Sequence, residues 1–378
     1  MTLASKPLRI IIAGGGTGGH VLPAIAVIEE LRRREIAMDL LWIGGAKGVE
    51  QSFASEQEIP FRAVQTGKLR RYLSLDNAMD MLRIPVGIVQ AWSIVRSFKP
   101  DVIFGTGGSV SVPTVIAGHR SAPVLTHEQT AQVGISNKIA SKFVDVFACS
   151  YEETAAIART MHTNVVVTGN PVRRSLMEGN KERGLATFGM SDAMPLLFVT
   201  GGARGASAIN ERIEAMLPAI LEVTQIIHQT GPADANPDYA RLSALRDSLP
   251  EHLRARYQVR DMIRGEMADI YAAAHLVIGR AGAGTVAELT YTGTPAILIP
   301  LGGTWGDEQR KNAALLGSAG AALVLEQNDT PATALKQHIF ELMTDPPRLA
   351  EMAANAKALG RGDAAANVAD ELLKLANR

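Results

Sequence analysis

The sequence predicts an α/β protein with two domains, each built around a parallel sheet. Short β-branched runs alternate with helical patterns along the chain, an order typical of βαβ units. The alternation starts twice, at residues 8–13 and again at residues 196–200. The length of 378 residues also exceeds the size at which a single core usually stops growing.

The predicted strands form two series separated by a punctuated segment. Residues 169–171, with the sequence Gly-Asn-Pro, precede the charged stretch 178–183, a composition typical of an interdomain connection. We therefore expect an N-terminal domain at 1–172, a C-terminal domain at 173–350 and an Ala/Leu-rich helical tail at 351–378. The predicted strands are 8–13, 40–43, 102–106, 144–150 and 165–168 in the first series, and 196–200, 225–229, 276–279, 296–300 and 322–325 in the second.

The composition is that of an ordinary globular protein, and it limits the classes of partner. The chain balances 38 Lys and Arg residues with 38 Asp and Glu residues, so no general attraction to nucleic acid is expected. Cys149 lies in an apolar run, where a buried structural thiol is expected rather than a nucleophile. The N-terminal residues lack the long apolar stretch of a signal peptide, and we expect the protein in the cytoplasm.

Three glycine-rich loops follow predicted strands and precede helical patterns. They lie at residues 14–19, 105–109 and 200–206. Glycine lets the backbone pass close to a bulky anion, and the N–H groups and dipole at the start of a helix favour negative charge. Three such junctions on two similar domains predict a cleft at the carboxyl ends of the sheets, where open α/β sheets bind ligands.

The first glycine loop also fits the dinucleotide fingerprint, so a nicotinamide-dependent oxidoreductase is a competing class. That fingerprint needs an acid at the end of the second strand to hold the ribose. Here the second strand leads into Gly44 and Gly45, and the nearest following acid is Glu50. The missing acid argues against the nicotinamide interpretation.

Several motifs follow one another in a distinctive order along the chain. They are Gly14-Gly15-Gly16-Thr17-Gly18-Gly19-His20, Thr106-Gly107-Gly108, His127-Glu128-Gln129, Gly169-Asn170-Pro171-Val172-Arg173 and residues 280–288. In order and approximate spacing this set resembles the MurG family of peptidoglycan N-acetylglucosaminyltransferases, from about residue 8 to residue 325.

The resemblance implies a GT-B fold, in which two Rossmann-like domains face a central cleft, with a lipid acceptor on the first and UDP-N-acetylglucosamine on the second. It implies inverting transfer of N-acetylglucosamine to the 4-hydroxyl of an N-acetylmuramyl-pentapeptide unit on undecaprenyl pyrophosphate, without a cofactor. A related UDP-sugar-dependent lipid or exopolysaccharide glycosyltransferase, a UDP-N-acetylglucosamine 2-epimerase and a catalytically silent sugar-nucleotide sensor are the alternatives.

The resemblance also implies donor-binding roles. Glu288 matches the acid that holds the ribose hydroxyls, Ile263 the main chain that reads uracil, and Gln309 the glutamine that touches the sugar. The chain has no Asp-x-Asp motif of metal-dependent sugar transferases, so we expect no metal, and a helix N-terminus and arginines to meet the leaving-group charge. The other residues assigned to the donor are Thr17, Gly18, Gly19, Arg173, Gly202, Ala203, Arg204, Arg280, Gly284 and Thr285.

Acceptor binding and catalysis are assigned to the first domain. His20 opens a helix beside a glycine loop, where a neutral imidazole could take a proton from the acceptor hydroxyl or only donate a hydrogen bond to the acceptor pyrophosphate. Glu128 is a competing base or a residue that orients the base, and His127 is expected only to cap the strand at 124–126. The residues assigned to the acceptor are Gly15, Gly16, Gly107, Gly108, Ser109, Gln129 and Thr130.

Three places depart from the family's pattern. Ala203-Arg204 stands where Ser-Gln is usual, Thr130 where Asn is usual, and residues 302–308 replace a Pro-rich approach that ends in Asp-His-Gln. Arg204 either contacts a phosphate or is a solvated surface residue.

The segment 68–92 is expected to bind an anionic membrane surface. Its cations would meet lipid phosphate while apolar side chains enter the headgroup boundary, or the same helix would pack on its own sheet. Polar residues interrupt the stretch, so it is not expected to cross a bilayer, and we expect peripheral attachment at the inner face of the membrane. The cations are Lys68, Arg70, Arg71 and Arg83, and the apolar residues at helical spacing are Leu82, Val86, Val89 and Trp92.

Overall fold

A computed structural model describes residues 6–46, 48–67, 75–303 and 307–377, with the backbone alone for residues 75–82. The chain divides into two compact units. Unit 1 comprises Met1–Arg173 and Gly362–Arg378, and unit 2 comprises Arg174–Arg361. The first division lies after residue 173, beside the connection expected from the sequence.

Unit 1 is built on a parallel sheet with helices on both faces. Its seven strands among the described residues have the order β3-β2-β1-β4-β5-β6-β7. The strands are β1 Leu8–Gly14, β2 Met38–Gly45, β3 Phe61–Val64, β4 Val102–Gly107, β5 Val124–Glu128, β6 Val146–Cys149 and β7 Val165–Val167. The helices that connect them are α1 Gly18–Arg33, α2 Glu50–Glu56, α3 Leu75–Phe98, α4 Ser111–Gly118, α5 Ile135–Ala140 and α6 Glu152–Ala158.

The apolar strands explain why both faces of this sheet are covered. Ile10 and Ile12 of β1 belong to one core, with Ile25 of α1. Ile11, between them, belongs to a second core on the other face, with Val95 of α3. Successive side chains of a strand alternate between faces, so a continuous apolar run requires helices on both.

Unit 2 repeats this architecture. In the part of it that the structure describes, six strands have the order β10-β9-β8-β11-β12-β13. The strands are β8 Leu196–Thr200, β9 Gln225–Gln229, β10 Tyr257–Arg260, β11 Leu276–Gly279, β12 Ala296–Leu298 and β13 Ala322–Val324. The helices are α7 Lys181–Phe188, α8 Ser207–Ile220, α9 Asp238–Ser248, α10 Glu251–Arg254, α11 Met267–Ala273, α12 Ala283–Thr292, α13 Glu308–Ser318, α14 Ala332–Met343 and α15 Pro346–Leu359, with 3-10 turns at Arg174–Glu178, Gly202–Arg204 and Gln327–Asp329.

Each sheet reverses its strand order at the same place. β1 pairs with β2 and β4, and β8 pairs with β9 and β11, all in parallel. A reversal of this kind leaves a crevice at the carboxyl ends of the strands, where α/β sheets bind ligands. The glycine loops at 14–19 and 200–206 follow β1 and β8. The prediction of a two-part α/β fold with parallel sheets, of the GT-B type, is confirmed.

Two edge strands, β3 and β10, are absent from the predicted series. β3 contains the exposed residues Arg62 and Ala63, and β10 contains Arg260, also exposed. An edge strand is paired on one side only and meets solvent on the other, so its sequence lacks the continuous apolar run by which the central strands are recognised.

The helical tail expected at residues 351–378 is divided between the units. α15 belongs to unit 2, whereas the last helix, α16 Ala364–Leu375, belongs to unit 1. Val368 and Leu372 of α16 are fully buried in the same core as Ile25 of α1. The apolar face of α16 therefore completes the N-terminal unit from the far end of the chain.

Candidate functional site

A buried carboxylate anchors the glycine loop of unit 1. Glu50, the first residue of α2, is fully buried, and its Oε2 and Oε1 accept hydrogen bonds from the N–H groups of Gly16 and Gly45, both at 2.8 Å. A Cβ atom at Gly15 or Gly48 would overlap this carboxyl group, so the close approach of Glu50 requires glycine there. Glu50, the acid that follows the second strand, therefore binds the backbone of the glycine loop, and its buried carboxylate does not contact a ribose. Sequence reasoning missed this role.

His20 lies in the first turn of α1, and its hydrogen bonds define which ring nitrogen carries the proton. Nδ1 is 3.0 Å from the carbonyl oxygen of Thr106 and 3.1 Å from Oε1 of Gln129. The amide of Gln129 is itself oriented, because its Nε2 donates to the carbonyl oxygens of Thr106 and His127 at 2.8 and 3.1 Å. Both partners of Nδ1 are acceptors, so Nδ1 is the protonated nitrogen. The lone pair is then on Nε2, which makes no hydrogen bond to the described residues.

The second glycine loop closes over this imidazole. Gly107 and Gly108 have φ angles of +87° and +76°, a region that other residues rarely adopt. A Cβ atom at Gly107 would lie 3.2 Å from Nδ1 of His20, and one at Gly108 would lie 2.6 Å from the carbonyl oxygen of Gly15. The two loops of unit 1 therefore meet at His20, with Ser109 half-buried beside them.

Glu128 directs its carboxylate into the turn that precedes α5. It is 2% exposed. Its Oε1 accepts from the N–H of Thr130 at 3.2 Å, and its Oε2 accepts from the N–H of Gly134 at 2.8 Å and from Nδ2 of Asn137 at 2.9 Å. The hydroxyl of Thr130 lies 2.8 Å from Oε1 and 2.6 Å from the carbonyl oxygen of Gln132. Three N–H donors thus hold the carboxylate, and Glu128 shares the single hydroxyl proton of Thr130 with the carbonyl oxygen of Gln132. Thr130, which departs from the family's pattern, is one of the residues that hold it.

His127 ties β5 to the interdomain connection. Its ring is fully buried, and its Nε2 donates to the carbonyl oxygen of Gly169 at 2.9 Å. Burial lowers the pKa of His127 to about 4, which the hydrogen bond to Gly169 offsets only in part. The ring is therefore neutral near pH 7.

In unit 2 a neutral amide anchors the corresponding glycine loop. Nε2 of Gln229, the last residue of β9, donates to Oγ1 of Thr200 at 3.2 Å and to the carbonyl oxygen of Gly202 at 3.3 Å. Its Oε1 accepts from the N–H of Ile263 at 2.9 Å. The main-chain N–H of Ile263, the residue assigned to uracil, is thus already hydrogen-bonded within unit 2. Sequence reasoning did not identify Gln229.

Glu288 lies one turn into α12, on a helix whose start is open. It is half-buried, and its Oε2 accepts a hydrogen bond from the hydroxyl of Tyr271 at 2.9 Å. Gly284 and Thr285 are half-exposed in the first turn, and a Cβ atom at Gly284 would meet nothing within 4 Å. An anion can therefore approach the first turn at Gly284 and Thr285. Sequence reasoning also did not identify Tyr271.

Two arginines lie close together in unit 2. Arg280 is 9% exposed, and it donates to the carbonyl oxygen of Ile299 at 2.9 Å and to Oε1 of Gln327 at 2.6 Å. Arg212 donates to the carbonyl oxygens of Gln327 and Thr330 at 2.5 and 2.7 Å. Burial, with the nearby charge of Arg212, lowers the pKa of Arg280 below its ordinary value. These acceptors are neutral, so the pair gives unit 2 a local positive potential.

The remaining assigned residues are at least partly exposed. Arg173 is half-buried at the end of the main part of unit 1. Ala203 and Arg204 are exposed. Oε1 of Gln309 accepts from the N–H of Leu301 at 2.9 Å, and of the departing segment 302–308, residues 304–306 lie outside the described residues. Thr17, Gly18 and Gly19 are half-exposed at the start of α1.

Among the residues that the structure describes, no three His, Cys, Asp or Glu side chains lie together in a group that could hold a metal ion.

Comparison with known proteins assigns the chain to a family. The glycosyltransferase family 28 N-terminal domain matches residues 10–148, and the glycosyltransferase family 28 C-terminal domain matches residues 196–368. A Listeria monocytogenes protein named UDP-N-acetylglucosamine--N-acetylmuramyl-(pentapeptide) pyrophosphoryl-undecaprenol N-acetylglucosamine transferase is 35% identical over 370 residues, which cover 97% of this chain and 99% of that protein.

Solved structures agree with this assignment. The crystal structure of Acinetobacter baumannii MurG matches with a TM-score of 0.72 and 27% identity over 97% of this chain and 100% of that chain. A Neisseria meningitidis UDP-GlcNAc 2-epimerase matches with a TM-score of 0.67 but 16% identity, over 98% of this chain and 100% of that one, and so shares the fold alone. The chain is a glycosyltransferase of family 28 and belongs, within it, to the MurG family.

Proposed function

We propose that this enzyme transfers N-acetylglucosamine from UDP-N-acetylglucosamine to the 4-hydroxyl of undecaprenyl-pyrophosphoryl-N-acetylmuramyl-pentapeptide, with inversion at the sugar. This is the step from lipid I to lipid II in peptidoglycan synthesis. The Listeria relative, 35% identical over 370 residues, is named for transfer between this donor and this acceptor. Within the chain itself, the supporting observation is His20, whose proton is held at Nδ1 by Thr106 and Gln129.

In this proposal His20 is the general base. Nε2 takes the proton of the acceptor hydroxyl while the hydroxyl oxygen attacks the anomeric carbon from the face opposite UDP, and the bond from that carbon to the UDP oxygen breaks. Attack from the opposite face inverts the configuration. The imidazolium that forms keeps its Nδ1 hydrogen bonds to Thr106 and Gln129. We assign Glu128 the positioning of the turn before α5, because three N–H donors already hold its carboxylate.

We assign the donor nucleotide to unit 2. Glu288 would accept hydrogen bonds from the ribose hydroxyls, and the open start of α12 at Gly284 and Thr285 would face the diphosphate. The positive potential of Arg280 and Arg212 would favour the same anion. These groups can meet the charge that develops on UDP as it leaves, and the absence of an Asp-x-Asp motif suggests that turnover needs no divalent ion.

A product assay tests this proposal. The purified enzyme is incubated with UDP-N-acetylglucosamine and the lipid-linked muramyl-pentapeptide, and UDP and the lipid product are measured by mass spectrometry. One N-acetylhexosamine should be added to the lipid for each UDP released, at an initial rate that EDTA leaves almost unchanged. Transfer only to a different lipid, or conversion of the donor without an acceptor, would contradict the function. A rate that collapses with EDTA and returns with magnesium would contradict the metal-independent mechanism.

We further propose that α3 attaches unit 1 to an anionic membrane surface. Ala91 and Val95 of α3 are fully buried, whereas Val86, Val89 and Trp92 are 44%, 66% and 49% exposed. The apolar residues of this helix are therefore divided between the core and an exposed stripe, a pattern that suits binding at the headgroup boundary. No helix of the described residues has the length and hydropathy to span a bilayer. The basic residues Lys68, Arg70 and Arg71 and the side chain of Leu82 lie outside the described part of the chain.

Vesicle flotation tests this attachment with a matched control. Wild type should float with vesicles of anionic lipid, more strongly as the anionic fraction rises and less in high salt. Val89→Ser combined with Trp92→Ser should remain in the unbound fraction. Ile157→Ser, at an apolar residue of unit 1 that is 41% exposed on α6, should float like wild type. Equal flotation of the double variant and wild type would contradict the proposal.

A further inference from the structure

We propose that Tyr271 is a positioning residue that holds the carboxylate of Glu288 in the orientation that accepts the ribose hydroxyls of the donor. The inference rests on the proposed function, because it requires Glu288 to contact the ribose. Tyr271 lies on α11, outside the motifs from which the donor site was assigned.

The contact between the two side chains is direct and buried on one side. The hydroxyl of Tyr271 donates to Oε2 of Glu288 at 2.9 Å, and Tyr271 is 4% exposed. Its ring packs edge-on against Phe198 of β8, with 6.0 Å between ring centroids and 83° between ring planes. The ring of Tyr271, and with it the hydroxyl oxygen, is therefore held in place by the core of unit 2.

The hydroxyl of Tyr271 remains a donor at neutral pH. Burial, together with the charge of Glu288, raises the pKa of Tyr271 well above its ordinary value. A protonated phenol beside an ionised carboxylate gives a charge-assisted hydrogen bond, which is stronger than one between neutral groups. The pairing thus holds Oε2 of Glu288 against the hydroxyl of Tyr271.

The helix that carries Tyr271 is also held in place. Asp269, two residues earlier on α11, accepts hydrogen bonds from Nε and Nη2 of Arg183 at 2.6 and 2.5 Å. A Cβ atom at Gly179 would overlap the carbonyl oxygen of Ala268, so the backbone at the start of unit 2 lies directly against α11. A rigid support of this kind lets the hydroxyl of Tyr271 define where the carboxylate lies.

Positioning of this kind lowers the entropy lost when the ribose binds. A glutamate side chain has several rotatable bonds, and each conformation lost on binding weakens affinity. A vicinal diol needs the carboxylate oxygens in a defined plane. Tyr271 restricts Glu288 before the ligand arrives, so removing its hydroxyl should affect ligands that carry the diol and spare those that lack it.

Calorimetric titration of Tyr271→Phe with UDP and with 2′-deoxy-UDP tests the inference. The variant should bind UDP about threefold to tenfold more weakly than wild type, the usual effect of losing one hydrogen bond, while its affinity for 2′-deoxy-UDP changes much less. Combined with Glu288→Ala, Tyr271→Phe should have no further effect, because the two residues act through one contact. Tyr257→Phe is the matched control: Tyr257 is fully buried in the same unit, and its hydroxyl bonds Nδ1 of His228 at 2.9 Å.

The outcomes separate this inference from the proposed function. If Glu288→Ala leaves UDP affinity unchanged, the donor assignment itself fails. If Glu288→Ala weakens UDP but Tyr271→Phe does not, or if Tyr257→Phe weakens it equally, Tyr271 is not a positioning residue. Should Tyr271→Phe fail to fold, Arg183→Gln releases Asp269 and loosens the support of α11 without changing Tyr271 or Glu288, and it should weaken UDP more than 2′-deoxy-UDP. An unchanged preference in Arg183→Gln would overturn the inference.

Discussion

The glycine loops of the two units follow equivalent strands but are anchored by different chemistry. In unit 1 the buried carboxylate of Glu50 takes the N–H of Gly16. In unit 2 the amide of Gln229 contacts the carbonyl oxygen of Gly202 and the hydroxyl of Thr200. The carboxylate of Glu50 directs the N–H of Gly16 toward the interior of unit 1. The amide of Gln229 is neutral, so it places no negative charge beneath the loop at residues 200–206. Strand order alone therefore does not determine what each loop can bind.

The side chains beside the anchored loops extend this difference. Unit 1 places at its loops an imidazole whose tautomer is defined, and unit 2 places the carboxylate Glu288, an open helix start and the Arg212 and Arg280 pair. The first set suits proton transfer, and the second suits a nucleotide diphosphate. We therefore propose different roles for the two similar scaffolds, and single substitutions can separate them.

The largest effect is expected from His20→Ala. Turnover should fall by about 10²–10⁴-fold, the usual contribution of a general base, while the affinity for UDP stays within twofold of wild type. Steady-state UDP release and calorimetry measure the two quantities. His162→Ala is the control, since His162 is a half-buried histidine of unit 1 that bonds the carbonyl oxygen of Ser141 at 3.1 Å. Turnover of His20→Ala within a few-fold of wild type would place the base elsewhere, with Glu128 the next residue to replace.

Glu288→Ala should give the opposite pattern. Unpaired ribose hydroxyls should weaken UDP binding by ~1–3 kcal/mol, or about tenfold to a hundredfold, with turnover at saturating donor much less affected. Glu222→Ala, at an exposed acid of the same unit, should bind UDP like wild type. If Glu288→Ala keeps its affinity for UDP and loses turnover, the assignment of donor binding to unit 2 and of the base to unit 1 is contradicted.

Glu50→Gln should lower stability rather than change specificity. The amide would present a donor to the N–H of Gly16 or Gly45, so one buried hydrogen bond would be lost at a cost of about 1–3 kcal/mol. Urea denaturation measures this loss, with Glu58→Gln as an exposed control in the same unit. An unfolding free energy equal to that of the control would show that the carboxylate does not anchor the loop.

The buried His127 should make the stability of unit 1 depend on pH. Burial lowers the pKa of His127 to about 4 from an ordinary value of 6.5. Between these values the unfolded chain binds a proton and the folded chain does not, so stability falls as the pH decreases from 6.5 toward 4, with a limiting slope of about 1.4 kcal/mol per pH unit. His127→Gln should remove this contribution, and denaturant midpoints from pH 7 to pH 4 measure it. The same slope in the variant and wild type would contradict the assignment.

The sequence predicts the central strands and the glycine loops because both are local patterns. Continuous apolar runs mark the strands, and glycines at their ends mark the loops. The residues that hold the site are different. Glu50 is 34 positions from Gly16, Gln229 is 34 positions from Ile263, and Tyr271 is 17 positions from Glu288. These contacts arise only when neighbouring strands and helices are assembled, so no local pattern reveals them.

The last helix shows the same limit at the level of the fold. The Ala/Leu-rich composition of the C-terminal residues predicts a helix but does not indicate its partner. In the structure Arg34, the residue that follows α1, pairs with Asp370 of α16 and donates to the carbonyl oxygen of Ala366. These contacts are more than 330 positions apart, and they define which unit the helix completes.

Hydrogen–deuterium exchange with UDP tests most directly the claim that the donor nucleotide belongs to unit 2 and the base to unit 1. Saturating UDP should protect amides at 200–206, beside residue 263 and at 283–288, and should protect the loops at 14–19 and 105–109 much less. Strongest protection at residues 14–19, with unchanged exchange at 283–288, would contradict the account.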